Sequence, residues 1–170
     1  MQWKMRKRGF TLVELMVTLT ILGVMLGTAL PGLHGYLRLS QFREHEETAC
    51  ALFLLAQSRV TDLRAGGSWE DFALRLQEEG IPLEDGVYAA ALEKGGEPDG
   101  DGALVTQLLG EMEGAAVCIE IDTDHAQVRA VYYSTACRAL VYGQAQDGQT
   151  SLDCLDADSR QQARLGYCGG

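Results

Sequence analysis

Residues 10–30 read FTLVELMVTLTILGVMLGTAL, 21 positions with Glu14 as the single charged side chain. A helix of that length covers roughly 30 Å, the thickness of a bilayer core, so the segment is membrane-directed. Just before it, residues 1–9 hold Lys4, Arg6, Lys7 and Arg8, four of the 14 bases and none of the 24 acids. The rest of the chain is therefore left with 10 bases against 24 acids, a formal −14. A body that acidic makes a poor general surface for phosphate backbones, and no direct nucleic-acid partner is expected. With 46% hydrophobic and 22% charged residues and only 3 Pro in 170, the chain is neither disordered nor collagen-like.

Three kinds of N-terminus share a basic leader and an apolar run. A removed secretory signal carries about 7–15 apolar residues followed by small residues at the cut. Gly27-Thr28-Ala29 is a weak version of such a site, but the run is long for that class and Glu14 stands near its start. A permanent anchor fits both the length and the orientation, because Lys and Arg before the span hold that end in the cytoplasm. It leaves a carboxylate in the span, at a cost of about 2.5–3.5 kcal/mol at the bilayer centre and less near an end, where Glu14 can snorkel. The third kind is a signal cut on its charged side, in which Glu14 awaits a cationic partner.

The residues Lys7-Arg8-Gly9-Phe10-Thr11-Leu12-Val13-Glu14-Leu15 resemble the cleavage and methylation motif of type IV prepilins and type II secretion pseudopilins. The resemblance covers about the first 30 residues closely. It implies cutting between Gly9 and Phe10 by a membrane-embedded prepilin peptidase, then N-methylation of Phe10. Pro31 also falls where many family members carry a helix-bending proline. Cutting after Gly9 removes all four leader charges and creates an ammonium at Phe10, four residues from Glu14. In an apolar environment both charges lack water and favour pairing, within a chain or to a neighbouring subunit. Such a pair sets the register of one helix against the next, as a polar group does in a coiled coil. Gly9, lacking a Cβ, lets a peptidase approach the backbone.

Beyond the span, Pro31 predicts a kink or local opening. Gly23-Val24-Met25-Leu26-Gly27 is a G-x-x-x-G, which permits close helix packing, although Gly is common in membrane helices anyway. From Gly35 onward the pattern turns amphipathic, with Ala49, Leu52, Phe53, Ala56, Val60 and Leu63 at spacings of three and four. One helix is expected from about Phe10 to Ala65, where Gly66-Gly67 ends it, a rod of roughly 80 Å. Ser68 and Asp71 resemble a capping box for a short helix closed by Gly80, with Trp69, Phe72, Ala73 and Leu76 as its buried face. Residues 81–102, rich in Gly, Pro and Asp, are expected to form a surface loop with a short element near residues 87–93. Residues 103–112 have helical spacing. Residues 116–121 and 128–133 read as strands of a hairpin, residues 138–142 as a third strand. Residues 143–170 are read as polar and irregular, with a helical turn near residues 159–164.

Five cysteines occur, at 50, 118, 137, 154 and 168. The basic leader places them outside the cytoplasm, where disulfides persist. Four fall in the last 53 residues, and four allow three connectivities. Cys154–Cys168, closing a short tail loop, is the preferred pair. Cys118–Cys137 is disfavoured, because with Asp122 facing Gln127 across the hairpin Cys118 would face Val131. Cys50 is expected to stay free as a small buried residue. No C-x-x-C spacing exists, so no zinc or other metal site is expected. Asp99/Asp101, Asp122/Asp124 and Asp153/Asp156/Asp158 offer oxygens for calcium, as in some pseudopilins, but none matches a defined loop, and solvated turn carboxylates are the simpler reading. His34, His45 and His125 have no catalytic companions. Nothing points to an enzyme or a cofactor.

The expected class is α+β, with a long N-terminal helix (a transmembrane half and an amphipathic half) packed on a small antiparallel β-sheet head. The expected organisation is a leader (1–9), a transmembrane and assembly half (10–31), an amphipathic half (32–66), a helical and loop segment of the head (67–114), the sheet (115–143) and a polar, disulfide-stapled tail (144–170). The resemblance implies a filament subunit, pilin or pseudopilin, whose partners are related subunits, the prepilin peptidase, an inner-membrane assembly platform and membrane lipid before assembly. It would be a single-pass membrane protein with an extracytoplasmic head, then part of an envelope or surface filament. Secretion, DNA-uptake, adhesion and motility machines share this N-terminus, and their distinctions lie in the heads. The competing class is a binding or receptor protein on an uncleaved anchor.

Overall fold

A computed structural model of the protein describes residues 12–84, 86–97, 99–112, 114–144, 150–155 and 165–170, and of these the side chains of residues 29–35, 37–39, 41–42, 144, 150–151 and 155 lie outside the description. The chain divides into two units, Met1–Ser40 and Gln41–Gly170. Helix α1, Leu12–Ala65, supplies all that is described of the first unit and the start of the second. The expected start at Phe10 lies outside the described residues. The local opening expected at Pro31 does not occur, because α1 remains helical through that position. One missing N–H removes one rung of the ladder, and the turns on either side keep theirs. At the far end Gly67 takes φ 75°, and the Ser68 N–H bonds back to the Leu63 carbonyl at 3.0 Å. That left-handed glycine is the stop expected there.

Within Gln41–Gly170 the other elements are α2 (Trp69–Glu79), β1 (Ile81–Glu84), β2 (Val87–Leu92), α3 (Asp101–Leu109), β3 (Ala116–Asp122), β4 (Gln127–Ser134), β5 (Ala139–Gln144), β6 (Thr150–Leu155) and β7 (Gly166–Gly169). Five strands form an antiparallel sheet in the order β1-β2-β3-β4-β7, and β5 pairs with β6 in a separate hairpin. The α+β class and the helix-on-sheet arrangement match the expectation.

Side-chain alternation along β3 divides the head into two cores. Val117, Ile119 and Ile121 face the helices, meeting Leu52, Ala56 and Val60 of α1, Phe72 and Leu76 of α2, and Leu104, Val105 and Leu108 of α3. Ala116 and Cys118 face the other way, against Leu140, Tyr142 and Leu152 of the β5–β6 hairpin. The helical stripe read from sequence is thus the inner face of α1, with Ala49, Ala56 and Val60 at 0% exposure. The Val128 N–H is bonded by Gln57 Oε1 of α1 at 2.8 Å, which satisfies a backbone donor at the β3–β4 end of the sheet.

Several expectations are corrected. Residues 87–93 are not an element within a surface loop: β2 is an interior strand with β1 and β3 on either side. Its Tyr88-Ala89-Ala90-Ala91 run carries weak strand propensity, but small side chains let a helix layer and a hairpin close on both faces. The third strand read at residues 138–142 exists as β5 but pairs outside the main sheet. The polar tail is not irregular throughout, since it supplies β6 and the edge strand β7; the helical turn expected at residues 159–164 lies outside the described residues. Ser68 makes no side-chain cap to α2, so the capping box does not form, although the helix ends where expected, with the Gly80 N–H on the Leu76 carbonyl. Asp122 does face Gln127, but a bulge between Glu120 and Ile121 shifts the register, so that Cys118 faces Tyr132 and not Val131. The extra residue also lets Val128 and Val131, three apart, both join the helix-side core.

The preferred Cys154–Cys168 pair is also overturned. The disulfide present joins Cys137 to Cys154, with Cα atoms 5.4 Å apart, while Cys50, Cys118 and Cys168 are free. The tail folds back as β6 beside β5, which brings Cys154 to the segment just ahead of β5, and Cys168 leaves with β7 for the far edge of the sheet.

Candidate functional site

In the first unit the described side chains of α1 from Leu12 to Thr28 are all exposed, the large apolar ones from 51% at Val17 to 76% at Leu12. The polar atoms among them are largely taken up by the helix itself. The hydroxyls of Thr18, Thr20 and Thr28 donate to the carbonyls of Leu15, Met16 and Met25 at 2.9, 2.7 and 3.0 Å. The helix therefore presents an apolar surface whose backbone and hydroxyl groups need no outside partner, as an apolar surrounding requires. A Cβ built on Gly23 or Gly27 would meet nothing within 4 Å. Glu14 lies in the first turn, where the helix dipole favours a carboxylate. Gly9 and Phe10 lie outside the described residues, as does the side chain of Pro31. Among the described residues no helix is long and apolar enough to cross a membrane; the apolar run read from the sequence begins at Phe10 and ends at Leu30, both beyond the described side chains.

In the second unit, Phe53, Gln57, Asp122, His125, Gln127, Val128, Arg129 and Gly170 line an open depression of about 520 Å³. Asp122 organises its rim. Its Oδ1 accepts the Asp124 and His125 N–H groups at 3.1 and 3.0 Å, and its Oδ2 lies 3.0 Å from His125 Nδ1 and 3.5 Å from the Arg129 guanidinium. Burial raises the carboxyl's pKa, but the backbone and ring of His125, followed by Arg129, outweigh it and hold Asp122 below its ordinary value. This is a carboxylate committed to closing the β3–β4 turn. None of the lining residues is Ser, Thr or Cys, so the His125–Asp122 pair has no nucleophile there to activate.

The remaining candidates are dispersed. Among the described residues no three of His, Cys, Asp and Glu gather as a metal cluster. Asp101 accepts the Ala91 N–H, Asp153 stands exposed on β6, and Asp156 and Asp158 lie outside the described residues, so the acids read as calcium donors are scattered. His45 Nε2 is 2.9 Å from Thr135 Oγ1, its Nδ1 is buried without a hydrogen-bond partner, and its ring meets Tyr133 edge-on. Cys118 is fully buried under the β5–β6 hairpin, its thiol donating to the Tyr142 hydroxyl at 3.6 Å while that hydroxyl donates to Glu120 Oε1 at 2.6 Å. Two arrangements escaped the sequence reading: this Cys118–Tyr142–Glu120 chain and the approach of Cys168 to Cys50, close enough that Cys50 perturbs the Cys168 thiol. The alternation Gly166-x-Cys168-x-Gly170 was the available sign that one face of this strand packs tightly.

Residues 4–30 match the family model of the prokaryotic N-terminal methylation motif. The chain is 28% identical over 103 residues to the type IV major fimbrial protein FimA of Dichelobacter nodosus, covering 57% of this chain and 64% of that protein. It is 29% identical over 117 residues to a fimbrial protein of the same organism, covering 65% of this chain and 73% of that one. The chain thus spans just under two thirds of the first of these relatives. No solved structure matches the chain. The chain thus carries a prokaryotic N-terminal methylation motif ahead of a 54-residue helix and an antiparallel head, and it is similar to two fimbrial proteins.

Proposed function

We propose that the protein is a structural, non-enzymatic subunit of a type IV pilus-like or type II secretion-like filament. In this reading a prepilin peptidase cuts between Gly9 and Phe10, Phe10 is N-methylated, and the apolar part of α1 waits in the inner membrane until an assembly platform moves it into a helical bundle at the filament core. The head then stands outside the cytoplasm, on an envelope or surface filament. The observation that carries the reading is the methylation motif running directly into a helix whose apolar side chains are exposed all round. Lipid and a helix bundle are similarly apolar, so little hydrophobic free energy separates the two locations. A Glu14 carboxylate paired with a Phe10 amine supplies the bias and the register. No cofactor takes part.

Mass spectrometry of the protein from its native envelope tests the processing. A mature chain starting at N-methylated Phe10 is the expected result, and an intact Met1 would establish the uncleaved anchor instead. Glu14→Ala is expected to be cut normally but to enter filaments poorly, with sheared-filament yield falling at least about tenfold, the effect of about 1.4 kcal/mol on an equilibrium. Normal incorporation of that variant would remove Glu14 from the mechanism.

A further inference from the structure

Strand β7 runs along α1 in a fixed register. A Cβ on Gly166 would collide with the His45 carbonyl and the Glu46 amide, and one on Gly170 would sit 3.2 Å from the Phe53 ring. Alternate residues of a strand share a face, so Cys168 presents its Cβ to the helix as well. From Gly166 to Gly170 a strand advances roughly 13 Å, and from His45 to Phe53 a helix advances roughly 12 Å. The two elements keep pace, and Cys168 falls opposite the midpoint of that helix segment, beside Cys50. The two thiols are near enough for Cys50 to perturb Cys168, and both are half-buried and free.

We propose that Cys50 and Cys168 form a second disulfide that joins α1 to the last strand of the head. The chemistry is thiol–disulfide exchange with an external disulfide, either that of an extracytoplasmic protein thiol oxidase or oxidised glutathione. One cysteine attacks as thiolate and releases one donor thiol, leaving a mixed disulfide. The other cysteine then displaces the second donor thiol. Two protons and two electrons leave Cys50 and Cys168, and the donor disulfide becomes two thiols. Partial burial, the neighbouring Cys50 thiol and the charge of Glu46 push the Cys168 thiol up to about 11, so it stays protonated at neutral pH until a donor engages it. Cys118 cannot compete, because it is buried on the opposite face of the sheet, under the hairpin. The Cys137–Cys154 bond closes a local loop, whereas this one ties the helix that begins the head to the strand that ends it. Its mechanical meaning rests on the filament reading: load entering through α1 would be passed covalently to the sheet edge instead of peeling the helix away.

The test uses the full chain, reduced and held in detergent, then moved to a glutathione redox buffer and mapped by non-reducing peptide mass spectrometry. The expected product is a cross-linked pair of peptides carrying Cys50 and Cys168, two hydrogens lighter than their sum. One thiol, Cys118, should remain and titrate only in denaturant, and Cys50→Ser and Cys168→Ser should each leave two. Three thiols remaining after Cys137–Cys154 has formed, separate glutathione adducts on Cys50 and Cys168, or Cys168 joined to any other cysteine would each overturn the proposal. Cys118→Ala should keep the cross-link, so loss of the bond in that variant also counts against it. Wild-type mapping alone decides the outcome if a serine variant fails to fold. The buffer contains no peptidase and no filament, so failure here leaves the filament reading untouched, and an unmethylated Met1 chain would leave this bond standing.

Discussion

Asp122 closes the β3–β4 turn by accepting two backbone N–H groups, and His125 and Arg129 hold it ionised. Asp122→Ala leaves those N–H groups without their acceptor and should cost about 1–3 kcal/mol in urea denaturation. Because its folded pKa lies below the ordinary 3.8, its contribution is present above that value and is lost as pH falls through the lower folded one. At the opposite end of the scale sit three groups on the hairpin side of the sheet. Burial, offset in part by the Tyr142 hydrogen bond, pushes the Cys118 thiol from 9.0 up to about 12. Burial also raises the Tyr132 phenol, with Glu120 adding to it, and the Tyr142 phenol, with Cys118 and Glu120 adding to it. The unfolded chain gives up these protons at a lower pH than the folded one. Their stabilisation is complete below about 9 and is lost as pH rises toward 12. The denaturation midpoint should fall steeply over that window, and Cys118→Ala should flatten the slope. Cys118 should resist alkylation in the native state and react on unfolding.

Among the elements, the β5–β6 hairpin depends most on a single covalent link. It covers one face of the sheet through Leu140, Tyr142 and Leu152, and the Cys137–Cys154 bridge closes a separation of 17 residues at its base. A loop of that size is worth about 3 kcal/mol in the chain-entropy account. The Cys137→Ser/Cys154→Ser pair should lose about that much. Amide exchange should accelerate first along β5 and β6, while β3, flanked by β2 and β4 and packed on both faces, keeps its protection. Uniform acceleration across all strands would mean that the hairpin is part of one cooperative unit with the sheet.

For the molecule as a whole, the division at Ser40/Gln41 separates an exposed apolar helix from a head with its own cores. Among the described residues, all that build both cores come from Gln41–Gly170. A chain of residues 41–170 should therefore fold by itself, with one cooperative transition by circular dichroism and fluorescence, and should stay dispersed without detergent. The full chain should need detergent, because its first unit exposes Leu12 through Leu26 to the surroundings. A broad, non-cooperative melt of residues 41–170 would show that the first 40 residues contribute to the head's stability.

Local chemistry, carried by neighbours in the chain, is legible in the sequence. The leader motif, the apolar run, the stripe Ala49-Leu52-Ala56-Val60, the Gly66-Gly67 stop and the β3–β4 hairpin each rest on spacing within a few residues, and each stands in the structure or in the family match. The sequence by itself thus determined the N-terminal methylation motif and the helix-on-sheet class. Only the tertiary structure decided that the alanine-rich 87–92 segment is an interior strand, that the polar tail returns as β6 and β7, that a bulge re-aims Cys118, and which cysteines meet. Those outcomes depend on contacts between residues dozens of positions apart, where small side chains fit because two layers close on them. Four cysteines allow three full pairings on paper, and the strand order completes none of them: it brings Cys154 to Cys137 and carries Cys168 to the edge beside α1, away from Cys118.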